Sequence, residues 1–160
     1  MLLTSILKRN NPHQFCRMKP KLSKAAVQLR EQIDDSFPHR SRRSDGWIAD
    51  ARHMRAGKSD HIPDAQGWVR AIDVSRDLFE GSEPDIMGDL CDQLRLACKS
   101  KQEKRIAYII FEGRICSRIL NWKWRTYKGA NKHTKHAHFS FKKEADLLGE
   151  FYQVSMLGGE

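Results

Sequence analysis

Arg105-Ile106-Ala107-Tyr108-Ile109-Ile110-Phe111-Glu112-Gly113-Arg114-Ile115-Cys116 decides the fold class. Residues 105–111 are a short run of β-branched and aromatic side chains, too apolar for a strand with one face in water. Glu112-Gly113 is a turn signal between two such runs, so the stretch reads as a β-hairpin and the sheet holding it as at least partly antiparallel. Downstream, His136-Ala137-His138-Phe139-Ser140-Phe141 alternates with period two, and upstream Trp68-Val69-Arg70-Ala71-Ile72-Asp73-Val74 does the same. Two helices are expected beside these strands. One begins at Ser23, repeats Ala26, Val27, Leu29, Arg30 and Ile33 at helical spacing, and ends before Pro38. The other covers 84–100, with Ile86, Leu90, Leu94 and Ala97 on one face. Residues 39–66 are polar, without sustained periodicity, and read as a long loop, functional or disordered. Strands and helices mix without a repeating βαβ unit. The class is therefore α+β, a small antiparallel sheet flanked by helices.

The chain has 160 residues, enough for one domain with its own core. Residues 1–20, with Asn10-Asn11-Pro12 and Lys19-Pro20, read as a flexible leader, and 21–160 as a single domain. The apolar patch at Met1–Leu7 lacks a preceding basic segment and is too short for a signal core or a membrane span, so cytoplasmic synthesis and no membrane insertion are expected. The net charge of +9 predicts attraction to polyanions without choosing among them. Cys16, Cys91, Cys98 and Cys116 form no C-x-x-C pair. Cys91 and Cys98, seven apart on the second helix, read as small buried hydrophobes in a reduced protein.

Histidines and one aspartate carry the chemistry. His136 and His138, two apart on a strand, share one face, while Ala137, Phe139 and Phe141 face the core. Upstream, Asp73 stands in an otherwise apolar strand, where an unpaired carboxylate would be costly. Pro63–Gly67 reads as a turn that folds His61 back beside Asp73. His61, Asp73 and one member of His136-x-His138 make three ligands. Three mixed nitrogen and carboxylate ligands with an open fourth position point to catalytic zinc.

Ser59-x-His61, Gly67, Ala71-x-Asp73 and His136-x-His138 together resemble the zinc-dependent D-alanyl-D-alanine carboxypeptidase and phage endolysin family, which shares its fold with lysostaphin-type peptidases and the hedgehog signalling domain. The resemblance runs from about Ser44 to Phe141. It implies a hedgehog/DD-peptidase fold, zinc held by His61, Asp73 and His138, and hydrolysis of amide bonds in peptidoglycan stem peptides. A phage enzyme made in the host cytoplasm and acting on the cell wall after release would follow, with no specific nucleic-acid partner. Two departures stand out. His61 and Asp73 lie twelve positions apart, a wider spacing than the family's, and Lys135 occupies the place, three before His138, where relatives carry an acidic base. Base duty is therefore expected of His136, as in lysostaphin-like relatives, with His133 as second choice.

Lys135, His133, Arg43 and Arg52 are candidates to face the developing oxyanion, and Asp60 is a candidate to orient a ligand histidine. Trp122-Lys123-Trp124-Arg125 interleaves aromatics and bases, so Trp122, Trp124 and Arg125 are expected, with Lys135, to line the substrate side of the cleft. Ser44–His53 is a candidate for another wall. Two rival functions remain open. Asp60-His61-Ile62-Pro63 matches the opening of an HNH nuclease motif, although helix 84–100 lacks the Asn and His that motif requires. A non-catalytic module with structural zinc is the other.

Overall fold

The computed structural model of the chain describes residues 18–160. Most of the expected leader, and Cys16 with it, lies outside the described residues. In chain order the elements are β1 (Lys21–Leu22), α1 (Lys24–Ser36), α2 (Ala51–Ala56), β2 (Trp68–Val69), β3 (Ala71–Ser75), α3 (Met87–Lys99), β4 (Ile106–Phe111), β5 (Arg114–Ser117), β6 (Arg125–Thr126) and β7 (His136–Phe141). Five strands form an antiparallel sheet in the order β3-β7-β4-β5-β6, while β1 and β2 make a separate parallel pair. The fold is thus mixed α and β around an antiparallel sheet, as the hairpin at 105–116 requires. Glu112 and Gly113 both have positive φ, 49° and 70°, the backbone that lets a two-residue turn follow the twist of its strands.

Alternation sorts each strand into a core face and a site face. On β7, Ala137, Phe139 and Phe141 are buried in the core, as are Ile72 and Val74 of β3 and Ile109 and Phe111 of β4. The helices cover this face. Ala25, Ala26, Leu29 and Ile33 of α1 and Leu90, Cys91, Leu94 and Ala97 of α3 are packed into the same cluster. Cys91, Cys98 and Cys116 are free and buried, in keeping with the reading of the first two as small hydrophobes. The opposite face of β3, β7 and β4 carries Asp73, His138, Ser140, Tyr108 and Ile110, with Asp73 paired across to His138 and His138 to Ile110.

Three local features depart from the expected elements. Ser23 occupies the position before α1, but its side chain caps nothing, and its buried hydroxyl has no partner. Instead α1 is anchored by Gln32, whose amide donates to the carbonyls of Tyr152 and Leu157 and accepts from the Tyr152 N–H. The expected strand at 68–74 is broken at Arg70: β2 pairs with β1 and β3 with β7, while the Arg70 guanidinium bonds Asp64 and Asp146. Finally, the loop 39–66 contains α2. Its six residues bury nothing, so no apolar period announces them. Asp50 accepts from the His53 N–H to start it and Gly57, at φ 70°, ends it. No helix among the described residues is long and apolar enough to cross a membrane.

Candidate metal centre

Asp73 reaches the site from the middle of β3, on the strand edge not paired with β7. There Gly46 bridges to it, the Asp73 N–H donating to the Gly46 carbonyl at 2.7 Å and the Gly46 N–H donating back at 3.1 Å. This bridge is fixed from behind by Arg40. Its guanidinium holds Asp45 in a two-pronged pair at 2.9 and 2.7 Å, and the same carboxylate accepts from the Ser75 N–H at 2.8 Å. Burial alone would raise the Asp45 pKa, but the bonds from Arg40 and Ser75 outweigh it and lower it. The segment after Gly46 thereby presents the carbonyl of Trp47 to His61.

His61 is brought back by the Pro63–Gly67 turn. Asp64 accepts from the N–H groups of Gln66 and Trp68, the Asp64 N–H donates to the Trp68 carbonyl, and the Arg70 N–H donates to the Asp60 carbonyl. The residues between His61 and Asp73 are thus folded into a closed turn, and the two side chains meet.

Hydrogen bonding fixes which nitrogen of each ring faces the centre. The Trp47 carbonyl only accepts, so His61 donates its Nδ1 proton there at 3.0 Å, leaving the Nε2 lone pair pointed inward. Ser140 has a single proton, which it donates to the Asp60 carboxylate at 2.7 Å. Its oxygen then accepts from Nε2 of His138 at 2.9 Å, and the Nδ1 lone pair of His138 is the one left facing inward. Three donors therefore converge. His138 Nδ1 lies 2.9 Å from Asp73 Oδ1 and 3.2 Å from His61 Nε2, which is 3.3 Å from Asp73 Oδ2. Lone pairs at these separations repel unless a cation or a proton sits among them. Tetrahedral zinc with bonds of about 2.0–2.1 Å sets its ligand atoms about 3.3 Å apart. The group His61, Asp73 and His138 can hold a metal ion.

The electrostatics agree with that demand for positive charge. Burial opposes a charge on His61, but Asp73 outweighs it and raises the His61 pKa. Burial would likewise raise Asp73, yet the facing His138 and His61 rings hold the carboxyl well below the usual carboxylate range. Tyr108 stacks on the His138 ring, centroids 5.6 Å apart, and donates its hydroxyl to Asp60 at 2.5 Å. Asp60 thus orients His138 at one remove, through Ser140.

His133 and His136 stand beside this group in different positions. The cleft in front of the donors, about 400 Å³, is walled by Trp47, Tyr108, Tyr127, Asn131 and His133. His136 does not line the cleft; it is joined to His133 by a 2.8 Å bond between His136 Nε2 and His133 Nδ1, and lies 3.7 Å from Asp73 Oδ1. Burial, with the neighbouring His138 and His136, pushes His133 down to about 4, so it is neutral at neutral pH. His136 is also lowered, by burial first. His133 has φ 52°, a left-handed backbone uncommon outside glycine. Asn131 Oδ1 accepts its N–H, and its carbonyl accepts from the Glu112 N–H. The hairpin turn that decides the fold also holds this histidine in place.

The structure moves several expected wall residues away from the cleft. Trp122 is 6 % exposed and belongs to the core. Trp124 packs against that core, donates its indole N–H to Asp92 and lies under the Arg114 guanidinium. Arg125 is on the exposed edge strand β6. Lys135 and Arg43 line a different depression, beside Arg76 and Phe79. The run 122–125 interleaves aromatics and bases because its tryptophans pack inward and its cations stay in water, not because it lines a substrate path. The segment Ser44–His53, by contrast, does contribute a wall, through Trp47, Ile48 and Asp50.

Comparisons with protein-family models, with curated proteins and with solved structures found no match.

Proposed function

We propose that the chain is a zinc-dependent peptidase of the hedgehog/DD-peptidase fold that hydrolyses amide bonds of peptidoglycan stem peptides. The observation that carries the proposal is the convergence of two imidazole lone pairs and one carboxylate, each imidazole tied off behind by a hydrogen bond that leaves its inner nitrogen unprotonated. Such outer partners are what ligand histidines need to hold tautomer and orientation. Two nitrogens and one carboxylate favour zinc over magnesium or calcium, and three protein ligands leave a coordination position open. Zinc held there supplies a Lewis acid that activates water for attack at neutral pH.

The chain's own groups do the rest. His133, neutral and on the cleft wall, accepts a proton from the attacking water and returns it to the leaving amine. His136 holds the His133 ring through its Nδ1. This gives His133 the base role that the sequence reading assigned first to His136, because His133 lines the cleft and His136 does not. Trp47, Tyr108 and Tyr127 give the substrate flat apolar walls and exclude water from the bond being cut.

Metal content of the purified protein and digestion of purified cell walls, with the released muropeptides identified by mass spectrometry, test the proposal together. Wild type should carry about one zinc per chain and release peptide fragments. His133→Ala should keep its zinc and lose turnover by a factor of about 10² to 10⁴, the usual cost of a lost general base. Zinc-loaded protein inert on walls would overturn the peptidase reading. An active His133→Ala with a dead His136→Ala would return the base to His136.

A further inference from the structure

On the far side of Tyr108 from the metal centre lies a second depression, a groove of about 610 Å³. Its lining includes the apolar side chains of Ala107, Ile115 and Ile119, and Ile119 is 93 % exposed. Its rim is basic. Lys104, Arg118 and Lys142 line it, and the same three side chains line the adjoining hollow that also holds Lys99 and Lys101. None of the five makes an ion pair among the described residues. Arg70, Arg76 and Arg105, by contrast, are each paired with carboxylates. One acid, Glu144, faces the groove. Cations gathered without partners beside apolar side chains attract an anionic chain that also carries apolar groups.

Tyr108 lines both this groove and the cleft. A ligand extended from the metal centre over Tyr108 enters the groove directly. We infer that the groove bounded by Lys104, Arg118 and Lys142 is a distal binding site for the carboxylate-bearing peptide chains of the polymer whose amide bond lies at the metal centre. The inference rests on the proposed peptidase reading and extends it. The carboxylates pair with the rim, the aliphatic side chains of the peptide lie on Ile115 and Ile119, and the polymer is held in two places. Rim contacts of this kind are screened by salt.

Sedimentation with purified sacculi tests it, because binding is read without turnover. Sacculi stripped of covalently attached phosphate polymer serve as the probe, beside unstripped sacculi, double-stranded DNA and vesicles of anionic phospholipid. Wild type should pellet with stripped sacculi, less so as salt rises. Lys104→Gln/Arg118→Gln/Lys142→Gln should bind on the order of ten-fold more weakly, since exposed charge contacts are individually modest. A charge-matched control, Lys19→Gln/Lys24→Gln/Arg43→Gln, should bind like wild type. Equal loss in both triple variants would reduce the effect to net charge and overturn the groove. Binding confined to unstripped sacculi, DNA or vesicles would overturn the carboxylate assignment in favour of phosphate. His138→Ala should still pellet, so failure of the hydrolase reading and failure of the groove give different results.

Discussion

At the scale of single residues, the centre depends on which ring nitrogen carries a proton, and that is decided by side chains that never touch the metal position. Ser140 is the sharpest case. It is fully buried, and its one proton goes to Asp60, so it must accept from His138. Ser140→Ala removes that acceptor and lets His138 turn its Nδ1 proton inward, toward the point where a lone pair is needed. Loss of such an outer partner typically weakens metal binding by about 10- to 100-fold. Competition with a chromogenic chelator should show that weakening for Ser140→Ala, with Ser140→Thr restoring most of it because the hydroxyl returns. Unchanged affinity would mean that His138 is oriented by Tyr108 stacking alone. Ser140 was legible in the sequence by the same period of two that grouped His136 with His138. Tyr108 was not, because its place beside Ser140 follows from strand pairing between β4 and β7, which no local pattern states.

At the scale of elements, the strands were readable and the connection carrying His61 only partly so. β4, β5 and β7 follow from apolar runs, a two-residue turn and strict alternation, all local signals. His61 and Asp73, and the turn that joins them, could also be found locally. What the sequence lacked was the anchor. Arg40 grips Asp45 from within a segment with no periodicity, and Asp45 bonding Ser75 and Gly46 bridging to Asp73 tie that segment to a strand some thirty residues away. The tryptophans of 122–125 misled for a related reason: composition suggested a surface, whereas packing put Trp122 inside. Gly67 tests the turn. Its φ is +87°, and a Cβ there would stand 2.8 Å from the Lys19 carbonyl oxygen, which is backbone and cannot swing aside. Gly67→Ala should therefore cost about 1–3 kcal/mol, from the disfavoured backbone together with the clash. Urea unfolding would measure it. The same variant should bind metal more weakly than its stability loss alone explains, since this turn places His61. A neutral Gly67→Ala would show that residues 18–20 move away at little cost.

At the scale of the whole molecule, the three candidate ligands come from parts of the chain that the core holds in unequal ways. Asp73 and His138 are on adjacent strands of the main sheet, their backbones in register. His61 belongs to the long connection between α1 and β3, which buries little: α2 within it has no buried residue. A metal bound by all three ligands ties that connection to the sheet, so its binding energy is also folding energy. With free metal at about a thousand times its dissociation constant, the added stability is about 4 kcal/mol. For a domain of this size, each kcal/mol moves the melting temperature by roughly 2–4 °C. Removing zinc with a chelator should then lower the Tm by about 8–16 °C, and adding zinc back should restore it. His61→Ala and His138→Ala should differ in the apo state, because only His138 is buried against Ser140 and Tyr108. The first should melt near the apo wild type, and the second below it. Both should be nearly indifferent to added zinc. Hydrogen exchange locates the effect: chelation should deprotect the amides of Ala49 and Arg70, which bond the carbonyls of His61 and Asp60, before those of β4 and β7. Loss of protection across the whole sheet at once would place the metal in the folding core instead of on its outer connection.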